Sequence, residues 1–201
     1  MTEQIQEQKQ EEVKKLKPRF VYLAGEAGSG KSSLMREVVD LCSNEPKYPA
    51  AIKKGMTKFH FFSNGTVLFG DYSDPNEIYP GPDRLSFQAL TDTLDIMKEL
   101  VSSVKIVFAE GDRLSCERIY EEAAEYGYEV KLFIIHVSQE ELVRRRKARN
   151  GKFEGTWFKS RKTKYEKYSL LPYATVLENE TSEQFQANVQ KIYMWATGLD
   201  Q

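Results

Sequence analysis

The segment from residue 25 to residue 32 reads GEAGSGKS, and it restricts the possible folds of this chain more than any other feature. It fits the pattern G-x-x-x-x-G-K-[ST], in which glycines let backbone N–H groups turn inward around a phosphate. That pattern requires a strand before the loop and a helix after it. The apolar run Arg19–Ala24 has strand length, and Ser33–Cys42 carries apolar residues at helical spacing. We therefore expect a strand–loop–helix unit that holds a phosphate.

Two side chains of this loop have expected roles in binding a nucleoside triphosphate. Lys31 would bring a full positive charge to the β- and γ-phosphate oxygens, and the N-terminus of the following helix would add its dipole. The hydroxyl of Ser32 is expected to bind Mg²⁺. The expected cofactors are therefore ATP and Mg²⁺. The expected cofactor-binding residues are Gly25, Glu26, Ala27, Gly28, Ser29, Gly30, Lys31, Ser32 and Ser33.

Predicted strands alternate with predicted helices along the rest of the chain. Lys58–Phe62 and Thr66–Phe69 flank an Asn64-Gly65 turn and are expected to pair as a hairpin. The other predicted elements are strands at Val104–Ala109, Val130–Val137 and Ala174–Leu177 and helices at Phe87–Val101, Ser115–Tyr126, Glu140–Arg149 and Ser182–Trp195. Such alternation predicts a three-layer α/β fold, in which a mostly parallel central sheet is covered on both faces by helices.

A second expected site element is the apolar strand from Val104, which runs into Glu110 and Asp112. The C-terminal ends of parallel strands are where such sheets bind their ligands. Glu110 or Asp112 is therefore expected to position Mg²⁺, a metal-bound water or the hydroxyl of an acceptor molecule. The alternative is an acidic strand end that only caps the next helix at Ser115.

Positive charge is concentrated between residues 142 and 167. This segment holds eleven Lys and Arg residues against two Glu, a local charge of +9, whereas the whole chain carries −1. Arg144–Arg146 and Arg149 are spread round a predicted helix, so some of them must face solvent. Residues 150–165 or so are expected to form a small basic lid over the triphosphate, with Arg145 and Arg149 acting on the transferring phosphoryl group. A solvated basic face is the alternative.

The loop from Gly70 to Ser86 is dense in Gly, Pro, Asp and Tyr and opens onto a predicted helix. Loops of this composition usually only connect two elements. Its length, its aromatic residues and its acid–arginine pair nevertheless make it the candidate acceptor site. Asp71 or Asp83 would polarise the hydroxyl of the acceptor, and Arg84 would bind a phosphate. Tyr72 or Tyr79 would stack on a base. These are the candidate substrate-binding residues.

Composition excludes several classes of protein. Hydrophobic residues make up 40% and charged residues 29%, with a mean hydropathy of −0.57, which fits neither a disordered, a collagenous nor a membrane protein.

Residues 1–17 carry few large apolar side chains and are expected to form a flexible tail or a frayed helix, with 18–201 as one domain. The two cysteines lack metal-ligand spacing, and no apolar signal region is present. We expect a cytoplasmic protein with no membrane contact and no stable protein partner, in which His60 and His136 are packed structural residues.

The phosphate loop, the strand end Glu110–Arg113 and the arginine-bearing lid follow one another as in the thymidylate and nucleoside monophosphate kinase superfamily, which the chain resembles. More narrowly, several segments look like those of the phosphate-loop kinases of thymine-hypermodifying bacteriophages, which are 5-hydroxymethyluracil DNA kinases. The segments are Gly70–Tyr72 with Pro80–Ser86, Glu110–Leu114 and Thr156–Lys164. The resemblance implies phosphorylation of the 5-hydroxymethyl group of a modified uracil in viral DNA, in the cytoplasm of the host cell. Arg113, which lies in one of these motifs, is counted among the substrate-binding residues.

Two other functions fit the same motifs. A kinase for free deoxynucleosides or nucleoside monophosphates would use the same loop, Mg²⁺ and lid, and would differ in the size of its acceptor. A nucleotide-driven switch or DNA-binding ATPase would hydrolyse ATP without an acceptor. The chain lacks an Asn-Lys-x-Asp motif for reading guanine, and an arginine-rich lid suits transfer better than switching.

Overall fold

A computed structural model of the protein describes residues 17–45, 47–74, 85–86, 88–148 and 156–200, with the backbone alone for 156–159. Within these residues the strands are β1 Arg19–Ala24, β2 Ile52–Lys54, β3 Thr57–Phe61, β4 Thr66–Phe69, β5 Ile106–Glu110, β6 Glu129–His136 and β7 Ala174–Glu178. The helices are α1 Lys31–Ser43, α2 Ala89–Leu100, α3 Glu117–Glu125, α4 Gln139–Ala148, α5 Thr156–Tyr168 and α6 Ser182–Thr197. None of these helices is long and apolar enough to cross a membrane. Residues 1–16 of the expected tail lie outside the described residues.

The described strands form one sheet in the order β2-β3-β4-β5-β1-β6-β7. From β4 to β7 every neighbouring pair is parallel, so β1 lies in the middle of a five-stranded parallel core. β3 pairs antiparallel with β4, and β2 pairs antiparallel with β3 at the edge. The prediction of a mostly parallel α/β sheet is therefore confirmed.

Helices cover both faces of the sheet, because its central strand is apolar on both sides. Phe20 and Tyr22 of β1 face a core shared with α2, α3 and the second half of α5. Val21 and Leu23 face the opposite core, which is shared with α1 and α6. All four side chains are fully buried, as expected for a strand with helices above and below it. The predicted three-layer arrangement is confirmed.

The predicted hairpin at Asn64-Gly65 is also confirmed, with Phe59 opposite Phe69 across β3 and β4. Two described elements have no counterpart in the prediction. Strand β2 has three residues, all exposed, so it lacks the alternation that marks a half-buried strand. Helix α5 is polar along most of its length and buries Tyr165 and Tyr168, one turn apart, so its apolar pattern is too sparse to indicate a helix.

Candidate active site

The phosphate loop begins where β1 ends and runs into the first turn of α1. Gly25, Gly28 and Gly30 all have positive φ, at 146°, 92° and 96°. A Cβ on Gly25 would lie 2.5 Å from the carbonyl oxygen of Ile135, and one on Gly30 would lie 2.6 Å from the side-chain nitrogen of Asn179. Glycine is therefore required at these two positions by backbone conformation and by space.

The outer side of the loop is held by side chains that donate to its carbonyl groups. The Nε of Arg146 donates to the Ala27 carbonyl over 2.7 Å, and the Asn179 amide donates to the Ser29 carbonyl over 2.8 Å. Arg145 lies beside them and donates to the Asn179 carbonyl over 2.7 Å. Arg146 is buried, and its guanidinium also contacts the carboxylate of Glu26 at 3.4 Å. Two cationic helix residues and one amide thus fix the backbone of the loop from outside.

These outward bonds determine where the amides of the loop point. In a trans peptide the carbonyl of one residue and the N–H of the next point in opposite directions, and no described peptide bond of this chain is cis. Because the Ala27 and Ser29 carbonyls point outward, the N–H groups of Gly28 and Gly30 point to the inner side of the loop. The N-terminus of α1 begins there at Lys31, so the loop presents several N–H groups and a helix dipole to one anion.

The two side chains that end the motif lie on this inner side of the site. The ammonium of Lys31 reaches back across the loop to the Glu26 carbonyl at 3.1 Å, and little of the residue is exposed. The hydroxyl of Ser32 donates to Oε1 of Glu110 over 2.7 Å. The two residues therefore place one cation and one hydroxyl at the mouth of the loop.

Glu110 lies at the end of β5 and is fully buried. Its Oε1 accepts from the hydroxyl of Ser32 and, over 3.0 Å, from the hydroxyl of Tyr72. A hydroxyl and a carboxylate that meet at one point suit Mg²⁺, which takes one or two protein oxygens and completes its shell with water and substrate phosphates. Ser32 and Glu110 fit the expected metal site, where Mg²⁺ would neutralise charge on the β- and γ-phosphates.

Asp112, the other carboxylate of this strand end, faces helix α5. Its two oxygens contact Arg161 at 2.7 Å and Lys164 at 3.1 Å, and the Tyr165 hydroxyl donates to it over 3.2 Å. Lys164 also donates to the Ser115 carbonyl over 2.6 Å. In this structure Asp112 therefore connects α5 to the end of β5, and its expected role in positioning Mg²⁺, a water or an acceptor hydroxyl stays a prediction.

The acceptor-side residues differ in how far they match their expected roles. Asp71 contacts Lys58 at 2.8 Å, and this hydrogen bond lowers the pKa of Asp71 to about 2. Tyr72 is buried with its ring against Tyr48 and His60, so it presents no face on which a base could stack. The stacking role expected for Tyr72 is therefore corrected to a hydrogen-bonding role at Glu110. Three further candidates, Tyr79, Asp83 and Arg84, lie outside the described residues.

An open cleft lies on the acceptor side, between the β2–β3 hairpin and the segment after β5. Its lining brings three cationic side chains to one surface. The lining residues are Lys53, Met56, Thr57, Lys58, Leu85, Ser86 and Arg113. The expected substrate residue Arg113 is thus placed together with two lysines of the hairpin.

The arginines of α4 differ in exposure, as their spacing predicts. The side chain of Arg144 is 73% exposed, that of Arg145 is 21% exposed and that of Arg146 is 4% exposed. Both Arg144 and Arg145 bind Glu141, and these hydrogen bonds lower the pKa of Glu141 to about 2. Arg145 faces the outer side of the phosphate loop rather than its mouth. Arg149 and residues 150–155 of the expected lid lie outside the described residues, and the rest of the expected lid is the first part of α5.

A second cleft lies along the outer side of the phosphate loop. It is lined by Gly28, Gly30, Ser33, Arg145, Asn179, Glu180, Thr181, Ser182 and Phe185. Asn179 and the residues after it were not predicted from the sequence. The available signal was a polar residue directly after a predicted strand, at the edge where parallel sheets bind ligands.

The central phosphate loop, the inward N–H groups and the buried carboxylate beside Ser32 define a phosphate-loop nucleoside-triphosphate-binding protein. A family model described as P-loop Nucleotide Kinase3 matches residues 16–188. The chain belongs to this family of phosphate-loop kinases.

Solved structures share the fold at low sequence identity. The protein APE1195 is 18% identical with a TM-score of 0.53, over 92% of this chain and 98% of that chain. A gluconokinase from Sinorhizobium meliloti 1021 is 15% identical with a TM-score of 0.52, over 90% of this chain and 95% of that chain. A sugar kinase from Janibacter sp. HTCC2649 is 16% identical with a TM-score of 0.50, over the same shares of the two chains. A search of curated protein sequences gave no significant match.

Proposed function

We propose that this protein is an ATP-dependent kinase that phosphorylates the 5-hydroxymethyl group of 5-hydroxymethyluracil in DNA. The observation that carries the proposal is the meeting of Ser32 and Glu110 at the mouth of the phosphate loop, taken with a cleft that bears Lys53, Lys58 and Arg113, the last of which lies three residues after Glu110. The first feature serves the phosphates of ATP. The second supplies positive charge on the side from which an acceptor would approach.

The charge of this cleft supports an acceptor that carries phosphate. Lysines and arginines on one surface attract phosphates, and a strand of DNA has one on every nucleotide. The β2–β3 hairpin projects Lys53 and an exposed Met56 beyond the parallel core, which provides room for groups that flank the reacting nucleotide. A base inside a duplex cannot reach a phosphate loop, so the acceptor nucleotide would be flipped out or single-stranded. The identity of the acceptor group comes from the resemblance of several sequence segments to the bacteriophage 5-hydroxymethyluracil DNA kinases.

The proposed reaction forms a bond between the hydroxymethyl oxygen and the γ-phosphorus and breaks the bond from that phosphorus to the β,γ-bridging oxygen. ADP leaves, and the hydroxyl proton passes to a carboxylate or to water. Lys58 lowers the pKa of Asp71, so that carboxylate is a weak base in this structure, and both oxygens of Asp112 contact cationic side chains of α5. Positioning and charge stabilisation supply most of the catalysis in phosphoryl transfer. We assign those tasks to Lys31, the loop amides and the Ser32–Glu110 pair.

A second candidate function is phosphorylation of a free deoxynucleotide. The description of the matching family as nucleotide kinases favours it. Such an enzyme would use the same phosphate loop, and Arg113 would bind the phosphate of a single small acceptor. The two functions differ in how many phosphates of the acceptor contact the protein, and therefore in their dependence on salt.

The test is transfer of label from γ-labelled ATP to a panel of acceptors. The panel contains single-stranded and duplex DNA with 5-hydroxymethyluracil, the same DNA with thymine, and free deoxynucleotides. We expect label in the modified DNA, recovered on digestion as 5-phosphomethyl deoxyuridine, with an affinity for DNA that falls steeply as salt rises. Label confined to free deoxynucleotides would replace the DNA kinase by the nucleotide kinase. Release of phosphate without any labelled acceptor would contradict both.

A further inference from the structure

His60 is a fully buried histidine that has no part in the reaction as described above. Its Nδ1 lies 2.7 Å from the carbonyl oxygen of Pro49, and the backbone N–H of Tyr72 donates to its Nε2 over 2.9 Å. A carbonyl can only accept and an N–H can only donate, so both contacts are satisfied by the neutral ring with its proton on Nδ1. Burial lowers the pKa of His60, which favours the same neutral form.

The backbone at Tyr72 requires this acceptor because the chain there has left the sheet. Gly70 still donates its N–H to the Lys58 carbonyl of β3 over 2.8 Å, but the N–H of Tyr72 donates to a side chain instead. Tyr72 is 4% exposed, so water does not readily replace that acceptor. An unsatisfied buried amide is costly, and His60 therefore fixes where the backbone of Tyr72 lies.

Tyr72 extends this contact to the metal site. Its hydroxyl donates to Oε1 of Glu110, the oxygen that also accepts from Ser32. Its ring packs against the rings of Tyr48 and His60, with centroids 6.3 Å from each. With the backbone and the ring both fixed, the position of the tyrosine hydroxyl depends on His60.

We propose that His60 and Tyr72 are positioning residues, which hold the carboxylate of Glu110 in the orientation that lets it serve Mg²⁺ together with Ser32. The proposal rests on the proposed function in one respect, the assignment of Ser32 and Glu110 as the metal-binding pair, and it is independent of the acceptor. Partners that orient a metal-binding carboxylate typically contribute about 10- to 100-fold to metal affinity. His60 thus has a functional role in addition to the packing role that the sequence suggested.

The test is the affinity for Mg²⁺ of the ADP complex of the full chain, measured by titration, with ADP affinity measured separately in the absence of metal. We expect Tyr72→Phe and His60→Phe each to weaken Mg²⁺ binding by about tenfold or more, with little change in metal-free ADP affinity. His60→Gln keeps an acceptor near the position of Nε2 and should recover most of the loss. Thr93→Val is the matched control, because it removes the buried Thr93–Thr57 hydrogen bond near the same hairpin without touching Glu110.

A double variant separates a positioning role from general damage. If His60 acts through Tyr72, the variant with both phenylalanines should bind Mg²⁺ no more weakly than Tyr72→Phe alone. Additive losses, an equal loss in Thr93→Val, or wild-type Mg²⁺ affinity in Tyr72→Phe would overturn the proposal. Because Tyr72 is the residue that touches Glu110, wild-type Mg²⁺ affinity in Tyr72→Phe overturns the proposal even if His60→Phe does not fold. An absence of labelled DNA in the acceptor assay leaves these binding results unchanged, whereas failure of the wild-type protein to bind ADP would contradict the proposed function itself.

Discussion

The two sides of the phosphate loop are held by different chemistry. On the outer side, Arg146 and Asn179 donate to neutral backbone carbonyls of the loop. On the acceptor side, the hydroxyls of Ser32 and Tyr72 donate to the buried carboxylate of Glu110. One side consists of guanidinium and amide donors around backbone carbonyls, and the other of hydroxyl donors around a carboxylate.

This difference suggests that the two sides of the loop have different functions. A carbonyl group needs only a donor in a fixed place, so the outer contacts set the shape of the loop whether or not a ligand is bound. A buried carboxylate gains most from a nearby cation, so the acceptor side is where a divalent metal changes the balance of charge. We expect variants of the outer side to alter stability and nucleotide affinity alike, and variants of the acceptor side to alter metal dependence.

The largest effect is expected for Lys31→Ala, at the point where the two sides meet. The ammonium is the full positive charge that the loop motif brings to the phosphates, and its removal should lower the rate of transfer by about 10²- to 10³-fold. The protein should still unfold at nearly the wild-type temperature. Lys47→Ala, at an exposed position, is the control. Near-normal turnover by the Lys31 variant would refute the assignment of the loop.

Glu110→Gln is expected to raise the Mg²⁺ concentration needed for half-maximal rate by about tenfold or more, because it replaces the carboxylate that meets Ser32 by an amide, which is a poorer ligand for Mg²⁺. Asp112→Asn is the comparison, since Asp112 contacts Arg161 and Lys164. It should weaken the attachment of α5 and leave the Mg²⁺ requirement unchanged. The reverse pattern would exchange the roles of the two carboxylates. Steady-state rates over a range of Mg²⁺ concentrations distinguish these outcomes.

Arg146→Met should lower the free energy of unfolding by about 1–3 kcal/mol, because the half-buried carbonyl of Ala27 loses the charged donor that the buried Arg146 supplies. Affinity for ADP should fall to the same extent with and without Mg²⁺. Arg144→Met is the matched control on the same helix, and at an exposed side chain it should change stability by less than about 0.5 kcal/mol. Denaturant unfolding and ADP titration supply the two measurements. A loss confined to the Mg²⁺-bound state would contradict the division between the two sides.

The smallest effect is expected from the ion pair of Asp71 with Lys58. The pKa of Asp71 is lowered from 3.8 to about 2, so the stability that the pair contributes is complete above about pH 4 and is lost as the pH falls toward 2. Solvent screens this pair, so Asp71→Asn should cost less than about 1 kcal/mol at neutral pH. The difference from wild type should shrink as the pH falls from 4 to 2. A difference that stays constant over this range would show that Lys58 does not hold Asp71 ionised.

The sequence determined the loop and most of the elements around it because their patterns are local. Strands β1 and β4 have the predicted bounds, and the predicted helices match within about two residues at each end where both ends are described. Glycines are expected where the backbone must turn around a phosphate, and those of the motif at Gly25, Gly28 and Gly30 have positive φ. Alternation, helical period and glycine placement all act within a few residues of one another, so a single sequence displays them.

Tertiary structure alone decided which side chains meet at Glu110. Ser32 and Tyr72 are 78 and 38 residues away from it along the chain, and they meet it because the order β4-β5-β1 makes the ends of three strands neighbours. On α4, Arg144 and Arg146 belong to the same run of basic residues, yet one faces solvent and the other is buried against the loop. Strand order and the packed face of a helix depend on contacts between distant segments, and a run of identical residues in the sequence does not encode them.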